Sequence, residues 1–236
     1  MIVIVIPDIH LKPGLFERAS ELLKEKKADR AVCLMDIPDD WDQQFNLDLY
    51  AQTYDAAISF AKEYPDTLWC YGNHDLCYLW NRRESGYSAI AQGIVCEKLN
   101  KLREALPDPE RLQVLHRIDN VLFLHGGLAD AYVSTFTPAS RYNDVDEVIR
   151  RINSFGPEKM WMGLSPIWFR PGYDTGKMYK PRKLLQVVGH TPVQQIRKDG
   201  NVLSCDVFST YQDGTPIGSQ EFLIVDTVTW DYFGVR

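Results

Sequence analysis

The chain predicts an α/β fold in one domain over residues 1–236, with mixed sheets carrying helices on their faces. Three observations predict it. Short, continuously apolar runs at 2–6, 30–35 and 184–188 have the pattern of strands covered on both faces. The stretches between the early runs place apolar residues at helical spacing, as crossover helices between parallel strands do. The last part of the chain instead alternates short apolar segments with Gly, Asn and Asp turns, as antiparallel strands do.

The first strand stops at Pro7-Asp8-Ile9-His10, and Pro13-Gly14 punctuates the chain before a helix over 16–27 whose Phe16, Ala19, Leu22 and Leu23 form one apolar stripe. The second strand, 30–35, meets Asp36-Ile37-Pro38-Asp39-Asp40, where the proline cannot continue a ladder. A second helix covers 49–64, with Tyr50, Tyr54, Ala57, Ile58 and Ala61 on its core face and Pro65 ending it. The third strand, Leu68-Trp69-Cys70-Tyr71, empties into Gly72-Asn73-His74-Asp75, where Asp75 reads as the cap of the helix behind it. Residues 76–106 are mostly helical, with a loop at 82–87 that brings Arg82 and Arg83 within reach of whatever the preceding loop binds. Residues 112–118 and 121–124 read as a hairpin about Asp119-Asn120, and its second arm ends in His125-Gly126-Gly127. After an amphipathic helix over 144–152 comes a long loop, 161–183, rich in aromatic residues, Pro and Gly, of a kind that usually carries function. The run 184–188 ends in Gly189-His190-Thr191-Pro192, and strands are expected at 194–198, 202–207, 221–225 and 228–233.

With 45% hydrophobic and 25% charged residues, the composition is that of a globular protein. A net charge of -6 argues against binding nucleic acid through a broad basic surface, while leaving room for a local anion site where metals and a few cations converge. The five cysteines are odd in number, sit in or beside apolar segments and form no Cys-x-x-Cys pair, which predicts a reducing, cytoplasmic setting. The apolar N-terminus lacks a basic leader and meets Pro7-Asp8 too early for a signal peptide or a membrane span.

Five apolar runs finish in metal-ligand residue types: Asp8 with His10, Asp36, Asn73 with His74, His125, and His190. Four of the five histidines fall there; the fifth, His116, lies inside a strand pattern and reads as structural. If these runs present their carboxyl ends on one sheet edge, the loops after them converge on one crevice. Imidazole nitrogens mixed with carboxylate and amide oxygens suit Mn, Fe or Zn. The donors are too many for one tetrahedral ion, so two metals are expected, with Asp36 as the bridging carboxylate.

The ordered set Asp-x-His, Asp-x-x-Asp, Gly-Asn-His-Asp, His-Gly-Gly and Gly-His-Thr-Pro resembles the calcineurin-like metallophosphoesterases over residues 1 to about 210. Within them it looks most like bacterial and phage Ser/Thr phosphoprotein phosphatases and symmetrical diadenosine tetraphosphate hydrolases. The resemblance implies a four-layer β-sandwich of mixed sheets flanked by helices. It implies one metal on Asp8, His10 and Asp36 and a second on Asp36, Asn73, His125 and His190, with Mn favoured and Fe or Zn as alternatives. It makes His74 the general acid facing the leaving oxygen, held and charged by Asp39, while a hydroxide bridging the metals attacks phosphorus. Two departures stand out: Met35 replaces a glycine before the bridging carboxylate, and Asp40-Trp41 replaces the Arg-Gly that follows the second carboxylate, removing a phosphate-binding arginine. Arg82, Arg83 or Arg170 is the expected substitute, Arg170 lying in a Trp-x-Arg segment that the resemblance shares. The expected activity is a Ser/Thr phosphatase-like phosphomonoesterase acting on phosphoprotein or a small phosphorylated substrate. Hydrolysis of dinucleoside polyphosphates is the alternative, and a non-catalytic scaffold with the same fold is a third reading.

Overall fold

The computed structural model describes residues 1–25 and 27–236; Lys26, near the end of the helix expected over 16–27, lies outside the described residues. Two sheets face each other. The first has the order β11-β10-β1-β2-β3-β4, with β1 (Ile2–Ile6), β2 (Arg30–Cys33), β3 (Leu68–Cys70) and β4 (Leu112–Gln113) parallel, and β10 (Phe222–Asp226) and β11 (Tyr232–Val235) antiparallel beside β1. In the second, β6 (Val121–Leu124), β7 (Leu185–Val188) and β9 (Val202–Ser204) are parallel, flanked by antiparallel β5 (Leu115–Ile118) and β8 (Arg197–Asp199).

Because side chains alternate across a strand, each apolar run feeds two cores. Val3, Val5, Val32, Phe123, Val187, Leu203, Leu223 and Val225 pack together between the sheets. Their alternates Ile4, Ile6, Ala31 and Cys33 join α1 (Gly14–Lys24), α2 (Leu47–Glu63) and α4 (Gln92–Ala105) on one outer face. Leu122, Leu124 and Val188 join the side containing Val148 and Ile152 of α6 (Val145–Asn153). A run buried on both faces therefore has no polar side, which is why these strands show no alternation.

Several boundaries differ from expectation; the strand expected over 194–198 forms only at Arg197–Asp199, and the one expected over 30–35 ends at Cys33. The run at 112–118 is not one hairpin arm: it divides at Val114, β4 joining the first sheet and β5 the second. The switch is held by Asn153, whose Oδ1 accepts the N–H groups of Val114 (3.2 Å) and Leu115 (3.0 Å). Residues 227–230 form the turn between β10 and β11, so the last strand begins at Tyr232 instead of residue 228. The strand expected over 202–207 ends at Ser204. His116 is buried and its Nε2 donates to the Trp69 carbonyl at 3.0 Å, tying β5 to β3 as a structural imidazole. Among the described residues no helix is long and apolar enough to cross a membrane, and all five cysteines are free.

Candidate metal centre and active site

The carboxyl ends of β1, β2 and β3 in one sheet and of β6 and β7 in the other meet, so the crevice forms between two sheets, not along one edge. The loops after β1 and β2 are zipped together: Ile9, His10 and Leu11 donate to the carbonyls of Met35, Asp36 and Ile37, each at 3.0 Å. That register puts His10, Leu11, Met35 and Asp36 in the left-handed region (φ 41°, 57°, 54° and 47°), and Asp39 (68°) and His190 (62°) adopt it too. Each costs on the order of 1 kcal/mol or more for a non-glycine residue. A glycine at position 35, as the resemblance led one to expect, would meet no strain in that backbone, and Met35 occupies it at a cost. Asp75 braces it: besides capping α3 (Asn73–Leu79) through Gly72 N–H (2.9 Å), its carboxylate accepts the N–H groups of Asp36 (2.9 Å) and Ile37 (3.2 Å). A helix cap is thus also a brace on the neighbouring loop.

The predicted ligands come together. One donor atom each from Asp8, His10 and Asp36 lie within 4.8 Å of one another. His125 Nε2 stands 2.8 Å from Asn73 Oδ1, 3.0 Å from His190 Nδ1 and 3.6 Å from Asp36 Oδ2. Asp36 Oδ2 is also 3.6 Å from His10 Nε2, whose ring is oriented by Nδ1–H donating to the Asp39 carbonyl at 2.9 Å. Backbone reaches these carboxylates closely: a Cβ on Gly72 would fall 2.2 Å from Asp36 Oδ1, and one on Gly189 2.0 Å from Asp8 Oδ2.

Burial acts to raise the pKa of Asp36, but His125, His74, His10 and His190 together bring it down to about 2. Asp8 is pushed well up by burial, then by the charges of Asp206 and Asp36. Burial lowers His125 to about 4, and burial with the repulsion of His125 and Arg170 lowers His190 to about 2, so both rings are neutral at pH 7. Crowded carboxylates beside neutral imidazoles are a donor set short of positive charge. Asp8 Oδ2 and His190 Nε2 are buried without a hydrogen-bond partner. Together these features fit divalent cations.

His74 follows Asn73 in the first turn of α3, and its Nδ1–H donates to Asp39 Oδ2 at 2.8 Å. Burial disfavours its charge, yet Asp36 and the Asp39 hydrogen bond outweigh that and raise its pKa to about 9. Asp40 turns away to a latch: its carboxylate takes Lys12 Nζ at 2.8 Å and Thr210 Oγ1 at 2.9 Å. Arg82 and Arg83 are exposed on the loop after α3. Arg170 instead lines an open cleft of about 350 Å³ with Glu84, Trp161, Trp168 and Asp174. That cleft adjoins the donor cluster, for Trp168 packs edge-on against His190 at 5.7 Å. The 161–183 loop is anchored over the site by Gly126 N–H to Pro166 O (2.7 Å) and Gly127 N–H to Phe169 O (2.8 Å).

Sequence reasoning missed four participants. Asp206, almost fully buried, acts electrostatically on Asp8, and a strand expected to run through 202–207 hid it; the rule that an apolar run ends in an acid would have found it. Tyr50 is expected only on the core face of its helix and nothing in the sequence singles out Tyr78, but both hydroxyls reach Asp39. Lys12 carried no signal, because its partner Asp40 lies far along the chain.

A family model described as calcineurin-like phosphoesterase matches residues 1–216. No curated protein matches the chain. The solved cold-active protein-tyrosine phosphatase of the psychrophile Shewanella sp. is 17% identical, with a TM-score of 0.56 over 100% of this chain and 80% of that one. A further structure of a cold-active protein tyrosine phosphatase is 17% identical, with a TM-score of 0.52 over 100% and 78% of the two chains. An archaeal phosphodiesterase is 14% identical, with a TM-score of 0.45 over 100% and 99%. At these identities the likeness to the two phosphatases concerns the fold alone.

Proposed function

The chain belongs to the calcineurin-like phosphoesterase family, whose chemistry is metal-dependent hydrolysis of phosphate esters, and on that premise we propose that it is a binuclear phosphomonoesterase of the Ser/Thr protein phosphatase kind. Its substrate is a phosphoprotein or a small phosphorylated molecule. The observation that supports this reading best is Asp36 Oδ2, placed 3.6 Å from both His10 Nε2 and His125 Nε2, as a carboxylate shared by two donor sets would be. Asp8, His10 and Asp36 would hold one cation, and Asp36, Asn73, His125 and His190 the other; Mn is the ion proposed, and Fe or Zn suits the same donors. When bound, such cations make water acidic enough to supply a nucleophile near neutral pH and draw charge from the phosphoryl oxygens. His74, charged at neutral pH, protonates the leaving oxygen from Nε2 while Nδ1–H stays on Asp39. Arg170, whose guanidinium makes no hydrogen bond or ion pair among the described residues, binds a phosphoryl oxygen in place of the arginine lost beside Asp39.

The test is the purified chain reloaded with Mn and offered para-nitrophenyl phosphate, a phosphoserine peptide and diadenosine tetraphosphate. Turnover of the monoesters with two bound equivalents of Mn is expected. Metal bound with none of the three hydrolysed would overturn the reading in favour of a scaffold. One observation favours a second reading: the cleft lined by Trp161 and Trp168 beside Arg170 has aromatic faces on which a base could stack. Preferential cleavage of diadenosine tetraphosphate would select it.

A further inference from the structure

Asp39 is held by more than His74. Tyr50 of α2 and Tyr78 of α3, 0% and 1% exposed, each donate a hydroxyl to Asp39 Oδ1 at 2.6 Å, leaving Oδ2 to His74 Nδ1–H at 2.8 Å. Hydroxyl bonds to an ionised carboxylate at this length are strong and directional. Burial and the Asp39 charge push both phenols far above their usual pKa, so toward Asp39 they act only as donors. The arrangement extends outward: Tyr78 Oη accepts Ser88 N–H at 2.8 Å, and Ser88 Oγ donates to the Gln44 carbonyl at 2.6 Å. Gly86, at φ 83°, brings the same loop against the pair, where a Cβ would lie 3.5 Å from both Asp39 Cβ and His74 Cε1. None of these groups is needed to hold a cation. All of them fix the plane of one carboxylate and the ring hanging from it.

We propose that Tyr50 and Tyr78 are positioning residues for proton transfer, fixing Asp39 so that His74 keeps Nε2 aimed at the leaving oxygen. This rests on the phosphoesterase reading and on His74 as proton donor. In the step, a bond from water oxygen to phosphorus forms as the bond to the leaving oxygen breaks. The bonding pair goes to the leaving oxygen, which takes the proton from His74 Nε2, and a proton from the attacking water restores it. An alkyl leaving group needs that proton; para-nitrophenolate, a stable anion, hardly does.

The experiment compares Mn-loaded Tyr50→Phe, Tyr78→Phe and the double variant on an alkyl phosphate, the phosphoserine peptide, and on para-nitrophenyl phosphate. The expected result is a kcat lower by about 10-fold on the alkyl ester and within about 3-fold of wild type on the aryl ester, with KM and bound Mn unchanged. On a His74→Asn background the same changes should add no further loss on the alkyl ester. If the double variant does not fold, each single one, which keeps one hydroxyl on Asp39, carries the test. Equal losses on both esters, undiminished alkyl turnover, or a full further loss on the His74→Asn background would overturn the inference. A wild type inactive on both esters would overturn the phosphomonoesterase reading, and this with it.

Discussion

At the scale of single residues, roles here are set by which atom is left over after hydrogen bonding. His10 spends Nδ1 on the Asp39 carbonyl, which leaves Nε2 toward Asp36, whereas His74 spends Nδ1 on Asp39 itself and keeps Nε2 for a proton. His74→Asn should therefore lower kcat on alkyl phosphates by about 10²- to 10⁴-fold while leaving bound Mn unchanged. Metal analysis beside the kinetics checks this, and loss of metal would mean that His74 belongs to the donor set. Gly72 matters for the opposite reason, the absence of an atom: a methyl there would stand 2.2 Å from Asp36 Oδ1. Gly72→Ala should displace that carboxylate and weaken Mn binding by at least about 10-fold, measured by calorimetric titration. Unaltered affinity would show that the loop can move aside.

At the scale of elements, the site depends on loops that brace each other across strand boundaries. Asp75, in the first turn of α3, holds the backbone of Asp36 and Ile37 after β2, so the cap of one element secures the left-handed Asp36 that follows another. Elsewhere, Asn153 at the end of α6 does the same for the crossing from β4 to β5, accepting two N–H groups and donating to the Leu115 carbonyl at 2.9 Å. Asn153→Ala leaves those backbone groups without partners and should destabilise the fold by about 2 kcal/mol. Urea denaturation measures the loss, and Mn affinity of the folded variant should stay as it was, because Asn153 and the backbone groups it bonds supply none of the donor atoms.

At the scale of the whole molecule, two sheets must stay in register for donors from both to meet, and the charges they bury make stability depend on metal and on pH. Asp8, Asp36 and Asp206 are 1 to 2% exposed. A cation that binds only the folded chain stabilises it by about 3 kcal/mol at a hundred times its Kd, so Mn should raise the melting temperature and a chelator should reverse the shift. His116 joins the sheets as a neutral ring, its pKa brought down to about 4 chiefly by burial. The unfolded chain, near 6.5, binds a proton first on acidification. Its contribution is therefore present above about pH 6.5 and is lost as the pH falls toward 4, by about 2 kcal/mol between pH 7 and pH 5. His116→Gln keeps a donor for the Trp69 carbonyl without titrating, and urea curves at the two pH values should show a shallower acid slope.

Much of this was legible from the chain alone, because buried parallel strands must be apolar throughout and a polar residue ending such a run stands out. Asp8, His10, Asp36, Asn73, His74, His125 and His190 could be found that way, and so could the helices between the early strands. Their order, matched against a family, named the fold before any coordinate. What the chain could not show was anything that depends on residues far apart in sequence meeting in space. The division of one apolar run between two sheets at Val114 leaves no local trace, since both halves are buried. The turn of Asp40 to Lys12, the reach of Tyr50 and Tyr78 to Asp39 and the pressure of Asp206 on Asp8 all depend on which face of a neighbouring element a side chain meets. Sequence determined which groups the crevice would contain; tertiary packing decided which atoms of those groups remain free to act, because hydrogen bonds across elements use up the rest.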